Sequence, residues 1–349
     1  MYKPTYTINN KILSYIGSIE ASREVIENAP LVPAYEAKFR QEAIIRTVHH
    51  GTHIEGNPLD TGEVAAVLEG EEIDARDRDI QEILNYRKVL SYIDRKKREV
   101  TEKDLLAIHK LTVERLLRSD ASGKYRKTQV VVKNSKTGEV SFKPPEAALV
   151  AGLVKDFFGW LSDSEASDFH PVLVAGITHY VLAYIHPFVD GNGRASRAIA
   201  TMVLFQRGYD VKKFFSIEEY FDRNAPRYYK TLQSVSNQKV ESLSDRDLTP
   251  WLEYFCEGLA EELNRVKEKV KKLSLDVKLK GKTGQIALSE RQLKLVEFIE
   301  TYGSVSNKQW RTLLREYSDD TILRDLKDLQ KKKLIKKKGS TKGAVYILR

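Results

Sequence analysis

The sequence predicts a mainly α chain, a helical core broken by one β-hairpin and followed by a small basic domain. Three observations lead there. Apolar residues recur at helical spacing through most of residues 34–272, two β-prone runs flank a polar turn at 128–142, and the excess positive charge is confined to the last quarter. At 349 residues the chain exceeds the usual single-domain length of roughly 100–200 residues, so two or three domains are expected.

Residues 34–52 space Phe39, Ala43, Ile44 and Val48 along one helical face, and IEGNPLD then breaks the pattern. A second helix starts after Asp60 or Thr61, either of which can cap it, with Glu63 in its first turn. Residues 76–98 and 102–118 read as two more amphipathic helices. TQVVVKNSKTGEVSF (128–142) reads as a hairpin. Helical periodicity resumes over 146–161, 170–185 and 194–207, where Gly208 suits a C-terminal cap, and again over 226–236 and 248–272. The stretch 273–287, richer in Lys and Gly, reads as a linker.

The composition, 41% hydrophobic and 31% charged, is that of a globular protein. No apolar run approaches the ~20 residues of a membrane helix, and MYKPTYTINNK lacks the apolar core of a secretion signal. A cytoplasmic protein with no membrane partner is expected. The single cysteine, Cys256, excludes disulfides and a Cys-based zinc site and reads as core packing on the WLEYFCEGLA helix. Residues 261–349 hold 23 Lys and Arg against 12 Asp and Glu, so the net charge of +9 originates there. Such asymmetry points to an appended basic module with a polyanionic partner, or to a solvated Lys-rich face.

The chemistry concentrates in HPFVDGNG (186–193), between the helix ending near Ile185 and the one beginning near Arg194. Gly191 and Gly193 let the backbone turn tightly and approach a ligand. The following helix offers unpaired N–H groups and the positive end of its dipole, an anion site suited to phosphate. Arg194 and Arg197 share a face at that N-terminus and can grip phosphate oxygens with forked donors. Asp190 is a hard oxygen ligand suited to Mg²⁺, and His186 can take a proton from an attacking hydroxyl.

HPFVDGNGRASR matches the Fic motif HPFx(D/E)GNGRxxR at every fixed position, and the chain resembles the Fic family over most of residues 35–260. The resemblance implies a protein adenylyltransferase that moves AMP from ATP onto a Tyr, Thr or Ser hydroxyl of a target protein or of itself. His186 would be the general base and Asp190 the Mg²⁺ ligand. Asn192 and the backbone around Gly191 and Gly193 would hold the α-phosphate, Arg194 the β-phosphate and Arg197 the γ-phosphate, with Phe188 anchoring the loop. GKYRKTQVVV (123–132) and its hairpin at 128–142 resemble the family's flap, whose edge strand pairs with the target segment. Tyr228 and Tyr229 match a helix lining the adenine pocket, one contacting the base and the other packing inward.

THIEGNPLD (52–60) resembles the family's inhibitory motif (S/T)xxxE(G/N). The resemblance implies that Glu55 pairs with Arg197 and competes with the γ-phosphate for one guanidinium fork. Gly51 stands where the motif's hydroxyl belongs, and Thr52 lies one place later, which puts the hydroxyl's part in doubt. His49, His50 and His53 gather just before this Glu, with an i, i+4 pair at zinc-ligand spacing but no third ligand evident in the sequence. His109, His170 and His179 read as core or surface histidines.

Beyond residue 288 the sequence resembles a winged helix-turn-helix. A helix spans 289–301, Ser306 caps NKQWRTLLREY, Ser318 caps DDTILRDLKDLQKKK, and the strands KLIKKK and AVYIL flank GSTKG. Lys331 to Lys333, Lys336 to Lys338 and Lys342 would carry positive charge onto the wing, whereas Asp319, Asp320, Asp325 and Asp328 on the recognition helix would repel phosphate. The partner is therefore DNA or a protein, a second copy of the chain in a homodimer included. The division expected is an N-terminal helical region with the inhibitory helix (1–100), the Fic catalytic core (101–272), the linker (273–287) and the winged helix (288–349). The function expected is autoinhibited AMP transfer, with de-AMPylation as a related activity. The alternative is a nucleotide-sensing transcription regulator acting through the winged helix.

Overall fold

In the computed structural model the described residues are 2–29, 31, 33–96, 98–133, 140–163, 168–281, 288–332, 334–339 and 344–348. Two compact units form, residues 1–29 with 38–270, and residues 30–37 with 271–349. The expected division at residue 100 is not a unit boundary, because the helices on either side share one core.

The larger unit opens with α1 (Asn10–Glu27), which the periodicity reading passed over, and continues from residue 38 with α2 (Pro33–His53). Helices α3 (Thr61–Glu69), α4 (Asp77–Arg95) and α5 (Glu102–Thr112) follow. Asp60, rather than Thr61, caps α3 through a capping box with Glu63. The expected helix 102–118 stops six residues early, since beyond Thr112 the chain turns and Arg115 takes φ 60°. Strands β1 (Val132–Lys133) and β2 (Val140–Phe142) pair antiparallel, as the hairpin reading requires, and the tip at 134–139 lies outside the described residues.

Next come α6 (Val150–Leu161), α7 (Pro171–Ile185), α8 (Asn192–Gln206), α9 (Ile217–Arg223), α10 (Ala225–Ser236) and α11 (Thr249–Gly281). Helices α7 and α8 are the heart of the core and are buried along most of their length; α7 is apolar nearly all round, whereas α8 buries polar groups, two arginines among them, in its first two turns. Gly176 lets α11 approach α7: a Cβ there would lie 2.8 Å from Leu252 Cδ2, and the Trp251 indole donates to Gly176 O at 2.7 Å. Gly208 closes α8 at φ 80°, with Tyr209 N–H returning to Leu204 O. Cys256 is buried, as expected. Helix α11 runs nine residues into the expected linker, whose remaining residues 282–287 lie outside the described ones.

The basic unit contains α12 (Glu290–Tyr302), β3 (Val305–Ser306), α13 (Asn307–Leu313), α14 (Asp319–Lys331), β4 (Ile335–Lys338) and β5 (Val345–Leu348). Ser289, Ser306 and Ser318 cap the three helices, the last two as expected. The strands form one antiparallel sheet in the order β3, β5, β4, and the two-residue β3 was not expected. Leu295, Ile299, Trp310, Ile322, Leu326 and Tyr346 belong to a core of the unit's own. Lys333 and Lys342 fall outside the described residues. No helix among the described residues is long and apolar enough to cross a membrane.

Candidate active site

Because α7 and α8 are both buried, the six residues joining them must turn back at once. His186 ends α7 in the left-handed conformation (φ 53°, ψ 60°), costly for a residue with a Cβ, and Gly191 begins α8 at φ 76°. A Cβ on Gly191 would meet Val113 Cγ1 at 2.9 Å, so glycine is needed there for space as well as for φ. Asn192 fastens the turn from within: its Oδ1 accepts from Phe188 N–H at 2.8 Å and its Nδ2 donates to Phe188 O at 2.9 Å. This buried amide, expected to grip phosphate, is engaged at both ends with the loop. Phe188 is fully buried, the anchor expected of it.

Two residues unremarked as site residues in the sequence complete the turn. The buried Arg126 guanidinium donates to His186 O (2.8 Å), Ile185 O, Thr128 O and Pro145 O, while its own N–H donates to Pro187 O (2.9 Å). One side chain thus joins the loop to both roots of the hairpin. His109 stacks flat on Phe188, with centroids 3.7 Å apart and planes 2° apart. Its Nδ1 accepts from Gly123 N–H, so Nε2 carries the proton and donates to Asp190 O, each at 3.0 Å. Only tertiary contact could have revealed either role, since an Arg before a hairpin and a His on a helix have no local signature.

Burial lowers the His186 pKa to about 4, so the imidazole is neutral near pH 7. Its Nδ1 lies 3.3 Å from Ala183 O and, donating there, leaves the Nε2 lone pair free to accept a proton. Asp190 is half-exposed, with Oδ1 accepting from Gly191 N–H at 2.6 Å and Oδ2 3.7 Å from the Arg78 guanidinium. Arg194 and Arg197 are both buried at the N-terminus of α8. Glu82 stands 3.6 Å from Arg194, and Asn57 holds Glu82 in turn by an amide hydrogen bond of 3.1 Å. Nε and Nη1 of both arginines are buried without a hydrogen-bond partner among the described residues. Charged donors in that state fit a site for an anionic ligand.

Arg197 Nη2 donates to Glu55 Oε1 at 2.8 Å and to Gly51 O at 2.9 Å. Burial opposes the charge on Arg197, but Glu55 beside it holds the guanidinium pKa well above its ordinary value. A Cβ built on Gly193 would lie 2.1 Å from Glu55 Oε1, so the carboxylate sits against the first turn of α8, where an anion is most favoured. Helix α2 ends at His53, and Gly56 (φ 98°) turns the chain so that Glu55 can point there. Thr52 spends its hydroxyl on Val48 O and His49 O, whereas Gly51 is a glycine for space, its Cβ position lying 2.4 Å from Tyr86 Cε1. The hydroxyl of the family pattern has no counterpart here; the Gly51 carbonyl meets Arg197 instead.

Tyr228 is buried, its hydroxyl 3.1 Å from His179 Nε2. Tyr229 is half-exposed and donates to Ile54 O at 3.1 Å, next to Glu55. Of the pair, Tyr228 thus packs inward and Tyr229 lies against the segment that carries Glu55. Among the other histidines, His179 is core and His170 caps α7.

A helical domain that presents a glycine-bearing turn, followed by two buried arginines, between two buried helices is the class this geometry defines. A profile of the Fic/DOC family matches residues 99–204, and the chain carries a Fic domain. It is 32% identical over 201 residues to a protein adenylyltransferase Fic of Drosophila grimshawi, covering 55% of this chain and 39% of that protein. The corresponding protein of Culex quinquefasciatus is 31% identical over 201 residues, covering 55% and 38%. The chain thus spans less than half the length of these curated relatives. Among solved structures, a Fic family protein from Desulfovibrio desulfuricans shares the fold with a TM-score of 0.70 at 24% identity, covering 100% of this chain and 98% of that one. A Fic domain containing signaling protein from Bacteroides thetaiotaomicron gives 0.61 at 22% identity, covering 76% and 97%.

Proposed function

We propose that this protein transfers AMP from ATP to a protein hydroxyl and is held inactive by its own Glu55. The observation that carries the reading is the Glu55–Arg197 contact on the first turn of α8, among buried guanidinium nitrogens with no hydrogen-bond partner among the described residues. The curated relatives, named protein adenylyltransferases, support the same chemistry. The hydroxyl oxygen of the target attacks the α-phosphorus, its proton passes to His186 Nε2, and pyrophosphate leaves with the electrons of the broken P–O bond. Backbone N–H groups at the start of α8 hold the α-phosphate, Arg194 the β-phosphate and Arg197 the γ-phosphate once Glu55 withdraws. Asp190, a half-exposed carboxylate at the loop mouth, fits Mg²⁺, which would supply charge neutralisation for the phosphates. Tyr229 faces the adenine. The target segment adds to the edge of the β1–β2 hairpin, where Val131 and Val140 are exposed.

The basic unit serves as a winged helix. Three of the four aspartates on α14 have partners within the unit, Asp319 with Arg311, Asp325 with Arg291 and Asp328 with Lys332. Lys336, Lys337 and Lys338 stand exposed on β4. These features favour DNA over a protein partner and keep the second reading, a nucleotide-sensing regulator, in view. The deciding experiment measures initial rates of AMP incorporation from labelled ATP for the wild type, Glu55→Gly, Arg197→Ala and the double variant. A charge-assisted contact of about 1.5–3 kcal/mol predicts a gain of roughly ten- to a hundred-fold for Glu55→Gly, lost again in the double variant. A folded Glu55→Gly protein no faster than wild type would refute the inhibitory assignment.

A further inference from the structure

The sequence offers three histidines just before Glu55 but no third element to complete a metal site. The fold supplies one. Asp222, on α9, accepts from His50 Nδ1 at 2.7 Å, and its two oxygens each lie 2.9 Å from His53 Nδ1. The His49 ring stands 4.5 Å from that of His50, centroid to centroid. One donor atom from each of His49, His50 and Asp222 falls within 4.8 Å of the other two. Zinc bonds of about 2.0–2.2 Å place ligand atoms about 3–4 Å apart, so closing the cluster on an ion requires shifts of about 1 Å.

The donor atoms suit a metal. The His49 Nδ1 is buried without a hydrogen-bond partner among the described residues, and the Asp222 carboxylate accepts from the imidazoles of His50 and His53. Two imidazoles and a carboxylate form the donor set of a zinc-type divalent cation with one position left for water. His53, half-exposed at the end of α2, can orient the Asp222 oxygen that the ion does not use.

We propose that His49, His50 and Asp222 bind a zinc-type divalent cation that clasps the end of α2 to α9 and so holds Glu55 on Arg197. On binding, the proton between His50 Nδ1 and Asp222 moves to His50 Nε2 or to solvent, and Nδ1 takes the ion. A tie between α9 and the last turn of α2 opposes withdrawal of the two-residue-distant Glu55. The clasp rests on the inhibitory reading given above; the binding site does not.

The test therefore has two arms on the full-length protein. Zn²⁺ is titrated calorimetrically into metal-free wild type, His50→Ala, Asp222→Asn and Glu55→Gly, with melting temperatures recorded, and Co²⁺ is added for its ligand-field spectrum. The expected result is one ion per chain for wild type and Glu55→Gly, with affinity at least about 10–100-fold weaker in His50→Ala and Asp222→Asn. No binding by wild type, or equal binding by both cluster variants, overturns the site. In the second arm, Zn²⁺ slows AMP incorporation by wild type but not by Glu55→Gly or His50→Ala, all at saturating Mg²⁺. A rate unchanged in wild type with the ion bound, or slowed equally in all three, overturns the clasp. If Glu55→Gly is no faster than wild type, the inhibitory reading fails while the calorimetric arm still judges the site.

Discussion

The turn at 186–193 and the segment at 52–57 meet on Arg197, but they are held in different ways. The turn is fixed from inside by Asn192 and from outside by Arg126 and His109, each making two or more contacts. The backbone of the other segment is braced too, since the buried Asn57 amide donates to Asp79 O and Glu82 Oε2, whereas the Glu55 carboxylate itself rests on a single contact, to Arg197. On the proposed function, catalysis needs a geometry already in place and inhibition a contact that can be released. On that reading the Glu55 carboxylate, with its one contact, is the part able to leave the guanidinium.

The largest expected effect breaks the braced side. His186→Ala should lower AMP incorporation by about 10²–10⁴ while ATP binding by calorimetry stays near wild type, since the imidazole moves a proton and does not grip phosphate. Loss of ATP affinity with the rate per bound ATP preserved would take His186 out of the chemistry. A smaller effect tests the releasable side. Gly51→Ser presses a Cβ to within 2.4 Å of the Tyr86 ring and displaces the carbonyl that Arg197 holds. It should lower stability by about 1–3 kcal/mol and raise AMP incorporation a few-fold by loosening the Glu55 contact. A variant that melts lower with an unchanged rate would show that Gly51 serves packing alone.

A further effect concerns protons. Burial depresses both His109 and His186 from 6.5 to about 4. Below pH 6.5 the unfolded chain takes up protons that the folded one refuses. Their contribution to stability is therefore complete above about pH 6.5 and is lost as pH falls toward 4. Each histidine adds a slope of up to about 1.4 kcal/mol per pH unit in that window. Melting curves should fall between pH 6.5 and 4, and His109→Gln should fall less steeply. An equal slope in that variant would mean that the turn does not sense pH through His109.

What was legible in the sequence follows from the range of each signal. The anion-binding turn is local: glycines, a capping geometry and paired arginines all lie within twelve residues, and the fold realises them as spaced. The hairpin, the Ser caps and Gly208 are local too. Arg126, His109 and Glu82 act through contacts 60, 81 and 112 residues away along the chain, and nothing near them in sequence foretells it. Periodicity also misled at its edges. It carried the helix past Thr112 because Val113, Leu116 and Leu117 keep the apolar spacing while the backbone turns away, and it ended α11 at Lys272, before its observed end at Gly281. The strand β3 has two residues, too few to leave a pattern. Asn192 was assigned by the motif to a ligand, whereas its amide closes the turn that makes the ligand site.

Arg126 has a consequence for how such a protein could change its clientele. Its guanidinium is bonded at once to the His186 carbonyl and to both roots of the hairpin, so the loop and the hairpin share a common origin of coordinates. If the hairpin receives the target segment as proposed, residues between those roots can be exchanged, lengthened or recharged to suit a new target while the distance from hairpin to imidazole stays set. Recognition is thereby free to drift under selection, and the chemistry does not have to be rebuilt each time it does.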